Sequence, residues 1–140
     1  MKRVLFLICI LFISNVSAIS LNIAESYMRN ETAIGDISGA VLQPITEQQI
    51  KVKKGNSEVA FDYGIKKIND EHYIWFVTPQ ISGNYTLRIE NVHTIENGAN
   101  VIVNYEKNFN VGNGTSDYYI TPAAIISSQY FQITAYLNQE

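Results

Sequence analysis

His72 and His93 are the only imidazoles in this 140-residue chain, and imidazole is the side chain most used for zinc binding and for proton transfer at neutral pH. Zinc needs three or four ligands at close spacing. The chain has no His-Glu-x-x-His, no histidine pair at helical spacing and no cysteine cluster. Both histidines are therefore expected at a strand end or on the surface. A serine nucleophile would need a Gly-x-Ser-x-Gly elbow and a positioned base, and that elbow is missing. Asp62, Asp70, Glu71 and Asp117 could offer oxygens to calcium, but they lack the dense Asp-x-Asp-x-Asp spacing of a loop site. No glycine-rich phosphate loop is present, and the chain is small for a sugar-cleaving cleft. The expectation is a protein with no catalytic residue, no metal and no cofactor, hence not an enzyme.

Two other residue types could carry function. Asparagine forms the sequons Asn30-Glu31-Thr32, Asn84-Tyr85-Thr86 and Asn113-Gly114-Thr115, which make Asn30, Asn84 and Asn113 candidate N-glycosylation sites. Asn15 forms a further triplet within the N-terminal segment discussed below. Tyrosines 27, 105, 118, 119, 130 and 136 could line up as a sugar-stacking surface, or sit half-buried with their hydroxyls in water. The second fate is expected for most of them.

The elements that must position these groups read as strands. In Gly83 to Glu90, Tyr85, Leu87 and Ile89 alternate with Asn84, Thr86, Arg88 and Glu90, the period of a half-buried strand. That strand is expected to run to about Ile95, turn at Asn97-Gly98, a pair suited to two positive φ angles, and return through Val101 to Tyr105. His72 to Thr78 is apolar on both sides, with Tyr73, Trp75 and Val77 against Ile74 and Phe76, as expected of a central strand covered on both faces. Upstream, Ala40 to Leu42 stops at Pro44 like an edge strand. Gln49 to Lys53 alternates before a turn at Lys54 to Ser57, and Val59, Phe61 and Tyr63 form another alternating face. Ile65 to Ile68 ends at Asn69-Asp70. Seven or so short strands, regular turns and no convincing long helix predict an all-β sandwich. Its expected core comprises Phe61, Trp75, Val77, Tyr85, Leu87, Ile89, Val101 and Val103.

The N-terminus reads as an address. Met1-Lys2-Arg3 is a basic head, Val4 to Ile13 an apolar run, and Ser14 to Ala18 a small-residue exit. This is the layout of a secretory signal helix, with cleavage expected after Ala18. The alternative, an uncleaved anchor, fits less well because the run is short for about 30 Å of hydrocarbon. Cleavage removes Cys9, the single cysteine, and with Lys2 and Arg3 gone leaves 8 basic against 13 acidic residues, net −5. A disulfide framework is excluded for the remaining chain, and the charge argues against nucleic acid or an anionic membrane surface as partner. No later segment is apolar enough to span a bilayer.

The expected organisation is a signal at 1–18, a leader or edge strand at 19–36, a β-sandwich at 37–111, a polar linker at 112–117 and a tail at 118–140. Tyr118 to Pro122 and Gln129 to Leu137 look like fresh strand material. They open a second module or fold back on the first sheet. Phe131, Ile133, Ala135 and Leu137 share one parity, so the tail is expected to associate by strand addition, with itself or with the first module.

The run Gly83-Asn84-Tyr85-Thr86-Leu87, the Asn-Gly turn, and the returning strand that ends Lys107-Asn108-Phe109-Asn110-Val111 resemble the closing hairpin of immunoglobulin-like and fibronectin type III-like modules of bacterial and archaeal cell-surface proteins. The likeness covers about Ala40 to Val111 and lacks the antibody-type cysteine pair. It implies an immunoglobulin-like antiparallel β-sandwich in which Tyr85 anchors a corner through its hydroxyl and Trp75 packs the core. The function expected is a non-catalytic structural or adhesive module, and a glycoprotein, of a secreted or envelope protein on its extracellular side. Its partners would be other surface modules, other proteins or glycans. The alternative is a carbohydrate-binding module using exposed aromatics.

Overall fold

The structure, a computed structural model, describes residues 19–127 and 130–138. The expected signal at 1–18 lies outside them. The chain is all-β, and among the described residues its helical content is one 3-10 turn at Glu47–Gln49. Strands run in order as β1 (Ser20–Asn22), β2 (Ser26–Arg29), β3 (Thr32–Ser38), β4 (Ile50–Lys54), β5 (Ser57–Glu58) and β6 (Tyr63–Ile68). β7 (Glu71–Val77), β8 (Gly83–Glu96), β9 (Ala99–Thr115), β10 (Tyr118–Thr121) and β11 (Thr134–Leu137) follow.

One sheet has the order β1-β3-β7-β6, a second β2-β9-β8-β4-β5, and β10 and β11 form a small third. Neighbours pair antiparallel except β2 and β9, which are parallel, so the five-stranded sheet is mixed. The exception arises because the chain turns at Asn30, held at φ 52°, and β3 joins the other sheet. β2 is thus left to add to β9, a strand far along the chain. β7 is central in its sheet, flanked by β3 and β6. At the β8–β9 turn Asn97 and Gly98 have φ of 52° and 79°, the left-handed pair that a tight hairpin with right-twisted strands needs.

The two larger sheets contribute to one core. Leu21, Ala33, Ile37, Ile65, Ile74 and Phe76 come from the first, and Ile50, Val52, Tyr85, Leu87, Ile89, Val92, Phe109 and Val111 from the second. Phe76 and Phe109 meet across it with ring centroids 5.4 Å apart. The alternation along β8 breaks at a register shift between Ile89 and Val92, so that Val92 and Thr94 take over the buried parity. Gln49 holds this bulge, its Nε2 donating to the carbonyls of Glu90 and Asn91 at 2.8 and 3.0 Å.

Several expectations need correction. Of the two alternatives for residues 19–36 the leader falls and the edge strand holds, since β1 and β2 are edge strands of the first and second sheets, with β3 inside the first. Gly112 to Thr115 is no linker, because β9 continues to Thr115 and pairs with β2 there. Near Pro44 only an isolated bridge, Val41 to Thr94, forms in place of an edge strand. Val59 and Phe61 lie outside any strand, half-buried against the core beside Tyr63. Of the expected core, Tyr85, Leu87 and Ile89 are buried in the cluster, whereas Val77, Val101 and Val103 are half-buried outside it. Trp75 is buried but is no part of the cluster. It lies on β7 in register with Gly64, on the parity opposite Ile74 and Phe76, and therefore on the outer face of the sheet.

Candidate functional site

Residues with the chemistry of a reaction centre are dispersed. His72 sits on the inward parity of β7, 2% exposed, and among the described residues neither ring nitrogen has a hydrogen-bond partner. Burial, and second the charge of Lys67, push its pKa below the usual 6.5. It is buried near its strand's start, not surface-placed; flanking Glu71 is exposed, and the pattern of alternation alone does not show which face the second sheet covers. His93 is half-buried on β8. Asp62, Asp70, Glu71 and Asp117 are exposed. Asp70 lies 3.8 Å from Lys67, and Glu71 accepts the Tyr73 hydroxyl at 2.6 Å. Among the described residues no three His, Cys, Asp or Glu side chains gather as a metal site.

The candidate glycan sites are separated too. Asn84 is exposed on β8, where its Oδ1 accepts a hydrogen bond from Asn110 Nδ2 at 2.8 Å. Asn113 is exposed near the end of β9. Asn30 occupies the left-handed turn between β2 and β3, half-buried, with its carbonyl accepting from Asn138 Nδ2 at 3.1 Å.

The tyrosines divide into two groups. Tyr27 packs edge-on to Phe76 and Phe109 at 5.9 and 5.8 Å, and its hydroxyl accepts the Ala24 N–H at 2.9 Å. Tyr105 packs against the core and donates to Glu96 at 3.2 Å. Burial is the first cause raising both hydroxyl pKa values. Tyr118, Tyr119, Tyr130 and Tyr136 all belong to the tail.

That tail is the most unusual surface. β10 and β11 pair so that Tyr118 faces Leu137, Tyr119 faces Tyr136, Ile120 faces Ala135 and Thr121 faces Thr134. The Tyr119 and Tyr136 rings stack at 4.9 Å, 14° from parallel. Face-to-face stacking gives each ring the other as cover, which is not the side-by-side platform of a flat sugar site. The Thr32 side chain ties β10 to the first sheet. The Thr32 hydroxyl accepts the Ile120 N–H at 2.6 Å and donates to the Ile120 carbonyl at 3.0 Å. Asn138 closes the base of the hairpin, its Nδ2 also donating to the Ser116 carbonyl at 2.7 Å. β11 has no strand partner besides β10 among the described residues.

A cleft opens on each side of this hairpin. One, of about 740 Å³, has Phe61, Asp62, Gln80, Tyr119 and Asn138 among its walls. The other, of about 680 Å³, is bounded by Met28, Ile34, Tyr118, Ile120 and Ile133 and is the more apolar. Large apolar side chains stand in solvent here, with Leu137 81% and Phe131 61% exposed. Soluble surfaces seldom expose such contiguous apolar groups without a use for them.

Thr32, Ile34, Met28 and Asn138 were not legible as site residues in the sequence. Thr32 and Ile120 are 88 positions apart, and no local pattern announces a contact at that range. No family model matches the chain, and no curated protein matches it in sequence.

Proposed function

We propose that the chain is a non-catalytic structural or adhesive module of immunoglobulin-like build, secreted or held at the cell envelope on its extracellular side. Its work is to space, display and associate through its β-sheet surfaces. The observation that carries this reading is the tail hairpin: an apolar strand pair docked on the first sheet through β10, with the other edge of β11 unpaired among the described residues. Two features support the immunoglobulin-like part. Two sheets supply one core, and the Tyr85 hydroxyl bonds to the backbone four residues upstream, at Ile81, as corner tyrosines do in such sandwiches. The outer-face position of Trp75 departs from that pattern. The basic head and apolar run at 1–13 support export.

The test is to express the full chain with residues 1–18 in place, fractionate the cells and sequence the N-terminus. Export with a new N-terminus at or near Ile19 is expected. Retention in the cytoplasm with Met1 intact would overturn the reading.

A second reading is favoured by the larger cleft, where Phe61 and Tyr119 stand among Asp62, Gln80 and Asn30, an aromatic and hydrogen-bonding mixture that suits sugars. Glycan-array binding that is lost on Tyr119→Ala would select it.

A further inference from the structure

We propose that the outer edge of β11 pairs antiparallel with β11 of a second copy of this chain, about a two-fold axis at Ala135.

The register decides which backbone groups are available. Asn138 N–H donates to the Asp117 carbonyl at 2.9 Å. In an antiparallel ladder, opposed pairs alternate between exchanging hydrogen bonds and pointing away. The bonded pairs of the hairpin are therefore 117 with 138, 119 with 136, and 121 with 134. Ile120 points away from β11, which is why Thr32 can bond its N–H and carbonyl. By the same alternation Ala135 and Leu137 direct their N–H and carbonyl groups away from β10. No other described strand lies along that edge.

A second copy fits this edge for three reasons. First, an isologous antiparallel pair is self-complementary: Ala135 meets Ala135, and Ile133 meets Leu137. The residue at the axis is then small, and the flanking ones are exposed aliphatics, Ile133 at 50% and Leu137 at 81%. Second, exposed edges normally carry lysine, proline or a bulge that blocks pairing, and Thr134 to Leu137 has neither charge nor proline. Third, charge selects the partner. The chain from Ile19 is net −5, so two copies repel overall, but residues 118–138 contain no Asp, Glu, Lys, Arg or His. The hairpin is the place where two copies approach without like-charge repulsion, and it offers nothing to a partner that binds by charge. β10 is the strand tied to the body, so the free edge of β11 is the one a second copy meets.

This inference rests on the reading of the chain as an association module, and cell fractionation tests that reading by a separate measurement. The test here is sedimentation velocity over a concentration series, on the full chain expressed with residues 1–18 in place and purified as the host leaves it. A monomer–dimer equilibrium is expected. Ala135→Pro removes an outward N–H that the hairpin itself does not use, and Leu137→Lys puts a cation on the free edge. Each should weaken dimerisation by roughly ten-fold or more while the thermal midpoint stays near the parent's. Should the proline variant fail to fold, the lysine variant at an 81%-exposed site carries the test. In a Cys9→Ser background, Ala135→Cys should oxidise to a linked dimer and Asn56→Cys, in the exposed turn before β5 at the edge of the second sheet opposite β2, should not. A monomer at every concentration, a dimer indifferent to both edge variants, or open-ended assembly with no dimer plateau would each overturn the proposal.

Discussion

The Tyr85 hydroxyl donates a hydrogen bond to the Ile81 carbonyl, 2.5 Å away, while its ring stacks on Phe109 at 5.7 Å. One side chain thus ties the entry of β8 to the core and satisfies a carbonyl of the preceding loop. Tyr85→Phe keeps the stacking and deletes the bond. It should cost about 0.5–1.5 kcal/mol, the net value of an intramolecular hydrogen bond. Urea unfolding checks this, and an unchanged midpoint would show that the bond contributes nothing.

Leu87, two residues on, has no exposed surface. Leu87→Ala should cost roughly 2–5 kcal/mol, the lost transfer energy plus the cavity left behind. A loss below about 0.5 kcal/mol, typical of surface sites, would place Leu87 on the wrong face.

Gly64 lies directly over the buried Trp75 ring. A Cβ at residue 64 would come within 2.6 Å of Trp75 Nε1 and 2.8 Å of Cε2, closer than atoms tolerate. The indole is wide and buried, so it cannot swing aside as a flexible chain end would. Gly64→Ala should destabilise by about 1–3 kcal/mol, the usual range for overpacking, and shift the tryptophan emission. An unperturbed spectrum with unchanged stability would refute the close packing.

Thr32→Val removes the hydroxyl that serves both polar groups of Ile120 while keeping the shape of the side chain. The body should stay folded and the hairpin should loosen. Hydrogen exchange is the suitable measurement: faster exchange at Ile120 is expected with the core strands still protected. Uniform loss of protection would mean that the hairpin belongs to the cooperative unit of the core.

His72 gives stability a pH dependence with a defined sign. Its folded pKa lies below 6.5 because burial, then Lys67, disfavour the charged form. Above about pH 7.5, a unit over the unfolded value, both states are neutral at this site and it contributes no slope. As pH falls below that value the unfolded chain takes up the proton first, so stability declines, levelling off only below the folded pKa. Thermal midpoints between pH 7.5 and 5.5 should therefore fall for the parent chain and fall less for His72→Leu, which also relieves two unpartnered nitrogens. Equal slopes in the two proteins would remove His72 as the cause.

Local chemistry was enough to place the middle of this chain. Alternation at Tyr85, Leu87 and Ile89, the two-sided apolar run from Tyr73 to Val77, and the Asn97-Gly98 turn each depend on steric rules that act within a few residues. The all-β class follows from them, as do the strand positions of β7, β8 and the start of β9. Tertiary structure decided everything that depends on which faces meet. The register shift after Ile89 moves the buried parity to Val92 and Thr94, because Gln49 from another element supplies the partners that make the bulge affordable. Trp75 reads like a core residue, yet the second sheet covers the opposite side of β7, and alternation alone is silent on which side that is. The polar run at 112–115 reads like a linker, but parallel pairing with β2 satisfies its backbone. The docking of β10 through Thr32 spans 88 residues, and a contact closed over such a distance leaves no periodic trace in the sequence on either side.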